Sequence, residues 1–574
     1  MTTLDIPFDR YPRFDELSEH LQRLAAEYPD LLELDVLGQS HEGRELWIAT
    51  VTNTATGPHH EKPAVWLDGN IHASEVTASV ALLHLLTHLC TGHGTDQRVT
   101  RALDTRTFYV VPRVNPDGAE LALSEVPFVV RSTTRAWPRP EQREGLVSGD
   151  VDHDGCSLQM RIEDPNGTWK PHPSIPKLLV AREPDEDGPG PYYRLLREGH
   201  VEGYDGVNIP TTPPLAGIDS NRNFPYQWRR FPEGEGFGWG HGDFPTSEPE
   251  VRAVVQGVVD RPNIGIYFAH HTYSGVILRP YSDRPDDAFP TVDKWTYDEL
   301  GRRAEEITGY PYLGVYDGFR YDPKDVITGV GDDWAYDHRG LFAWTTEFWN
   351  PLTAAGIEDP HPIEWYRDHT LDDELKLLAW VEENVPDGYV DWYPFEHPQL
   401  GRVELGGWHA AAAFRNPPPP LLEAEVAPHS ELAVFQALCL PELRVRDTSV
   451  ERLGDDTWQV RVVVENAGWL PTNVTKRAEE ARVTTPVEAR AVLPDGASLV
   501  HGTAQVELGQ LSGRALRRSA VGMFGPPDDG TGDRASAAWT VRAPGGTSIE
   551  VVVRSDRAGV VRTTIQLDPG RAQG

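Results

Sequence analysis

Trp66-Leu67-Asp68-Gly69-Asn70-Ile71-His72-Ala73-Ser74-Glu75 runs from an apolar segment through a break into polar residues and on toward a second apolar segment. Ala64 to Leu67 are apolar and read as the end of a buried strand, which Gly69 and Asn70 break. From Val76 to Leu89 the apolar residues Val80, Leu83 and Leu86 recur at helical spacing, which predicts a helix starting near Glu75. His72 and Glu75 then lie on the loop between a strand's carboxyl end and the next helix, the crevice in which open α/β sheets bind ligands. A histidine and a carboxylate three apart can reach one metal ion as an N and an O ligand. The same pair is also common among ordinary surface residues, so a third ligand and a supporting shell must decide.

Outward from this stretch, residues 14–28 place Leu17, Leu21 and Leu24 on one helical face. Residues 31–36 and 46–51 alternate as strands around a hairpin-like turn at 38–46. Residues 107–112 form a buried strand followed directly by the turn Asn115-Pro-Asp-Gly118. Ser247-Glu-Pro-Glu250 is a helix-opening capping box, a structural feature. Residues 263–268 form another apolar strand ending in Ala269-His270-His271-Thr-Tyr273-Ser-Gly275, which places a further histidine at a strand's carboxyl end. Phe342-Ala-Trp-Thr-Thr-Glu347-Phe-Trp is an apolar strand holding one carboxylate, which is costly there unless paired or functional. Residues 297–307 and 371–385 are helical.

Residues 119–218 interrupt this alternation with little clear periodicity. They contain the acidic loop Asp150-Val-Asp152-His-Asp154-Gly155, whose alternating carboxylates resemble the first half of an EF-hand loop. The twelfth position is Arg161 where a full loop needs Glu, which leaves a looser Ca²⁺ site at Asp150, Asp152 and Asp154 or a solvated acidic turn. In Asp219-Ser-Asn221-Arg222-Asn223, an Asn-Arg pair beside an Asp suits recognition of a carboxylate, because Arg grips it bidentately.

At 574 residues the chain exceeds one compact core. We divide it into a catalytic domain at 1–385, a linker or bridging segment at 386–440 marked by Asn416-Pro-Pro-Pro-Pro420, and a β-sandwich module at 441–574. The expected catalytic domain is α/β, a mixed twisted sheet with helices on both faces. A net charge of −35, from 53 basic and 88 acidic residues, argues against nucleic acid and anionic membranes as partners. Three scattered cysteines cannot build a disulfide framework or a Cys-based zinc site. No basic-then-apolar leader and no long apolar run is present, which predicts a cytoplasmic protein.

Taken together, Asn70-Ile-His72-Ala-Ser-Glu75, Asn115-Pro-Asp-Gly118, Asp219-Ser-Asn221-Arg222-Asn223, His271-Thr-Tyr273-Ser and Thr345-Thr-Glu347-Phe resemble, in that order, the zinc carboxypeptidases of the carboxypeptidase A type, the M14 metallopeptidases. The resemblance covers about residues 8–385. It implies that His72, Glu75 and His271 bind Zn²⁺ and leave an open position. It implies that Asp219 orients the His72 imidazole, and that Asn221 and Arg222 clamp the terminal carboxylate of a peptide substrate, with Tyr273 also on the binding surface. Glu347 is then the general base that takes a proton from the attacking water, and Arg131, with Arg135 as rival, stabilises the oxyanion. Asp332 falls at the position that sets preference, implying basic C-terminal residues; Asp333, or a mere capping role, is the competing assignment. Ser74 replaces the Arg frequent in digestive members, and a substrate-closing tyrosine has no clear counterpart, Tyr321 near Asp325 being the nearest. Hydrolysis of cell-wall or γ-glutamyl peptides, and a catalytically inactive binding protein, are the alternatives.

Overall fold

The computed structural model describes residues 6–125, 131–137, 144–211, 217–230, 240–320, 324, 326–516, 521 and 530–568. Its centre is an eight-stranded mixed sheet. In spatial order the strands are Leu32–Gln39, Glu45–Val51, Thr107–Val111, Ala64–Gly69, Ile264–Thr272, Phe342–Phe348, Val276–Arg279 and Tyr312–Gly314. The middle four run parallel and the neighbours outside them antiparallel. Strands buried on both faces should read as unbroken apolar runs. Ala64–Gly69, Thr107–Val111 and Ile264–Thr272 are buried at every position.

Helices cover both faces. Phe14–Glu27, Thr77–Gly92 and Leu422–Cys439 pack together on one. Pro249–Val259 lies on the other, where Gly257 approaches Trp66 so closely that a Cβ would stand 2.7 Å from the indole. The helix after the opening stretch begins at Thr77, two residues beyond Glu75. Asn416 supplies its missing cap from far along the chain, its Oδ1 accepting from Thr77 N at 3.1 Å and Thr77 Oγ1 at 2.8 Å.

The stretch without clear periodicity does fold into strands. Gln159–Glu163, Trp169–Pro171, Leu179–Ala181 and Tyr193–Arg197 join Tyr389–His397 and Gly401–Trp408 in one six-stranded antiparallel sheet. Each strand is short, and its partners come from both sides of the catalytic segment, so local alternation carries little of the signal. The segment after 386 is equally built in: Leu432, Val434, Ala437 and Leu440 belong to the main apolar core.

Two four-stranded antiparallel sheets follow and enclose Trp458, Trp539, Val460, Val462, Val551 and Val553. This module meets the rest of the chain at several places, among them Arg562 on Glu61 and Arg477 on Asp337, and one contact is especially tight. Gly340, with φ 61°, has no room for a Cβ because Ala478 lies 2.4 Å away. The Arg557 side chain is buried beneath it, donating to Gly340 O at 2.7 Å, Asn473 O at 3.2 Å and Arg339 O. Among the described residues, no helix is long and apolar enough to cross a membrane.

Arg557→Met should lower stability by about 2–5 kcal/mol, because it strands buried carbonyls that the guanidinium now satisfies. Urea unfolding checks this; a loss within about 0.5 kcal/mol would show that the clamp contributes little.

Candidate metal centre and its cleft

The loop carrying His72 is held open by side-chain amides. Asn70 takes the left-handed conformation at φ 58°, which Asn tolerates better than most residues. Its Nδ2 donates to His72 O at 2.7 Å and Ala73 O at 3.2 Å, replacing backbone pairing. Asn115, which caps its own helix through Gly118 N at 2.9 Å, donates to Ile71 O and Ser132 O. The second ligand-bearing element needs no such loop. Its strand runs parallel to the Glu347 strand in a register that sets His271 directly beside Glu347.

The ring nitrogen Nδ1 of His72 lies 2.9 Å from Glu75 Oε1 and 3.1 Å from Nδ1 of His271, which lies 2.9 Å from Glu75 Oε2. All three residues are buried. On its other side His72 Nε2 is 3.1 Å from Asp219 Oδ1, so that nitrogen carries the proton and Nδ1 presents its lone pair inward. Two imidazole nitrogens and a carboxylate thus converge in a buried place where their mutual repulsion is relieved by a proton or a cation. The donor set is the N₂O set of catalytic zinc sites, and it fits a Zn²⁺ cofactor. His270, adjacent in sequence, faces the opposite side of the sheet. Its Nδ1 is 3.2 Å from Asp68 O, its ring stacks on Phe348, and burial pushes its pKa down to about 3.

The surrounding charges are arranged in layers. Burial pulls the Asp219 carboxyl up, but Arg131, Arg222 and His72 together hold it well below the usual range. Arg131 Nε donates to Asp219 Oδ2 at 2.6 Å, and Asn221 N to Oδ1 at 2.9 Å. Burial, and then the charge of Glu75, push the Glu347 carboxyl well above the usual range against the pull of Arg131 and Arg415. Glu347 Oε2 has no hydrogen-bond partner among the described residues.

A cleft opens beside the three donors. His72, His271, Arg131, Asn221, Arg222, Asp332 and Glu347 all line it, with Leu278, Val315, Phe319, Ile327 and Val330 as apolar walls. Sequence reasoning named these polar residues and missed Ser282 and the apolar ones, which belong to no motif. Asp332 is buried and accepts from Thr345 Oγ1 at 3.1 Å and Asp333 N at 3.0 Å. Asp333 turns away to bind Ser282 N at 3.0 Å. Arg135 is committed elsewhere, paired to Glu248 at 2.7 Å. Tyr273 stands outside the cleft lining, its ring 5.8 Å from that of Tyr366. Tyr321 and Asp325 lie outside the described residues. Of the acidic loop, Asp150 and Asp152 come together with Glu198 rather than with Asp154, whose Oδ1 accepts Cys156 N at 2.8 Å. Glu198 is buried and accepts Val151 N and Leu158 N, both at 2.7 Å; its distance along the chain hid it from motif reading.

A buried His-Glu-His donor set at the carboxyl ends of parallel strands, beside an unpartnered carboxyl group, defines an α/β metalloprotein. The model of the zinc carboxypeptidase family matches residues 17–357, more than half of the chain, and this protein belongs to that family. Residues 442–566 match a domain of unknown function. The chain is 25% identical over 334 residues to carboxypeptidase A2 of Rattus norvegicus, covering 58% of this chain and 60% of the relative. It is 23% identical over 389 residues to a zinc carboxypeptidase of Saccharothrix mutabilis subsp. capreolus, covering 67% and 73%. It thus spans about three-fifths of the length of the first of these relatives. The crystal structure of carboxypeptidase A from Helicoverpa armigera aligns with a TM-score of 0.40 at 16% identity, over 66% of this chain and 74% of that one.

Elemental analysis should find about one zinc per chain, as one set of three protein ligands with an open position requires. His271→Ala should lose that zinc, and retention of full occupancy would remove His271 from the ligand set.

A pH effect follows from Asp68, at the end of the His72 strand. Burial raises its carboxyl to about 7 against the hydrogen bond from Trp66 Nε1 at 2.8 Å. The folded-state value lies above the unfolded one, so the stabilisation is complete below pH 4. It is lost as pH rises toward 7, by an amount on the order of 4 kcal/mol. Asp68→Asn should therefore gain stability relative to the parent between pH 5 and 7.5 in urea titrations; a constant difference across that window contradicts the assignment.

Proposed function

We propose that this chain hydrolyses the C-terminal peptide bond of peptides with Zn²⁺ held by His72, Glu75 and His271. The observation that carries this reading is the register that sets Glu347 beside His271 while Asn221 and Arg222 line the same cleft. Bound there, Zn²⁺ supplies Lewis acidity, acidifying water to a pKa of about 7 and polarising a carbonyl oxygen.

The chain's own groups do the rest. Asp219 fixes the tautomer and tilt of His72 through the bond at Nε2. Arg222 donates once to Asn221 O at 2.8 Å and keeps further N–H groups for the substrate's terminal carboxylate. Glu347, raised in pKa by burial and Glu75, takes the proton of the attacking water at its unpartnered Oε2 and returns it to the leaving amine. Arg131 is the cation beside it that meets the developing oxyanion.

The finer reading is a preference for Lys or Arg at the C-terminus. Leu278, Val315, Phe319, Ile327 and Val330 give an apolar sleeve for an aliphatic stem, and Asp332 gives a carboxylate within it. A cation arriving there pairs with a group that burial otherwise pushes up. An apolar end leaves that group unpaired, which is the stronger form of discrimination.

One series of assays tests both levels. Matched peptides ending in Arg, Lys, Phe and Leu should be cleaved with the basic ends preferred, and Asp332→Ala should abolish the preference. Glu347→Gln should retain zinc and lose about 10²–10⁴-fold in kcat. Near-parental turnover by Glu347→Gln contradicts the mechanism; better cleavage of Phe or Leu, unaltered by Asp332→Ala, contradicts the pocket assignment alone.

A further inference from the structure

The region that follows the zinc carboxypeptidase match returns to the metal centre. Its segment 414–417 is pinned there on both sides of Arg415. Phe414 packs on Tyr366 and Trp408, with ring centroids 6.2 and 5.5 Å apart. Asn416 donates to Ser74 O at 2.8 Å and accepts from Thr77 at the start of the next helix, and Pro417 O accepts from Tyr11 at 2.5 Å. Ser74 immediately precedes the donor Glu75. Arg415 is thus carried to the mouth of the centre on a backbone that is fixed before any ligand arrives.

Its side chain is half-buried, lies over the ring of Tyr273 at 4.9 Å, and makes no hydrogen bond or ion pair among the described residues. A half-buried guanidinium without a carboxylate partner keeps its N–H donors for a ligand or for water. Its charge nevertheless acts on Glu347. Arg415, Tyr273 and Tyr366 are absent from the lining of the cleft that holds Arg222 and Asp332. They stand on the Ser74 side, outside the pocket that the departing residue would fill.

We propose that Arg415 is a substrate-binding residue that takes a carboxylate on the acyl side of the scissile bond, on the side chain of the residue next to the one removed. The inference rests on the carboxypeptidase reading. In a guanidinium that is already desolvated on one face by Tyr273, a charge-assisted bond to a carboxylate is stronger than one to a neutral amide. The Tyr273 ring covers one face of the guanidinium, and Tyr366 stands beside that ring. The substrates favoured in this way carry Glu or Asp in the penultimate position.

The test compares peptides that share a C-terminal residue and differ only by Glu or Gln at the penultimate position. Binding is measured by calorimetry on zinc-loaded Glu347→Gln protein, and kcat/KM on the parent. Glu should be favoured over Gln by about tenfold in both. That ratio should fall to about one in Arg415→Gln and be largely restored in Arg415→Lys, a recovery that a merely structural role would not produce. Equal binding of the two peptides by the Arg415-containing protein, or an unchanged ratio in Arg415→Gln, overturns the proposal. The carboxypeptidase reading fails separately, when neither peptide is shortened by the zinc-loaded parent whatever the binding ratio.

Discussion

Four atoms with inward lone pairs, Nδ1 of His72, Nδ1 of His271 and both oxygens of Glu75, meet within about hydrogen-bonding distance in a buried place. Left alone, such a cluster is a liability: the carboxylate loses its hydration, and only one proton can sit between two imidazole nitrogens facing each other. A divalent cation resolves the arrangement at one stroke. Much of the nearby architecture serves to keep these atoms in place. The Asn70 and Asn115 amides hold the first loop, the parallel register holds His271, and the Arg131–Asp219 pair fixes the outer edge of His72.

The same constraint explains why the centre is assembled from distant pieces. Strand ends of a parallel sheet point their loops to one edge, so residues 72, 271 and 347 meet although they lie far apart in the chain. The later segments extend the principle. Asn416 caps the helix that follows Glu75, the strands at 389–408 complete the sheet begun by the long insertion, and Arg557 fastens the β module to the turn ahead of the Glu347 strand. The residues that line the cleft lie within the matched family region, and the segment at 414–417, outside that region, reaches Ser74 beside the donor Glu75.

What the sequence revealed follows the same physics. His72, Glu75 and His271 were legible because apolar strands stop abruptly at polar residues, and Glu347 because a single carboxylate in an apolar run has no structural excuse. Asp332 was reachable only through family register, and its place in the cleft could not be derived from local pattern. The insertion strands were hidden because short pairings between residues near 160 and near 405 leave no period in either segment. Glu198 beside Asp150 and Asp152, and Arg415 beside Tyr273, were hidden for a related reason: each is brought in by tertiary packing and belongs to no motif. Side chains that supply chemistry from regular strand ends can be read early, whereas those that shape specificity come from connections whose path only the folded chain defines.

The His72, Glu75 and His271 donor set is built to hold one zinc ion. Anomalous diffraction from crystals of the purified protein, recorded on both sides of the zinc absorption edge, tests it most directly. A single strong peak should appear above the edge, within about 2.0–2.3 Å of the donor atoms of His72, Glu75 and His271. Crystals of active protein with no peak at these residues, or with the peak elsewhere in the chain, would contradict it.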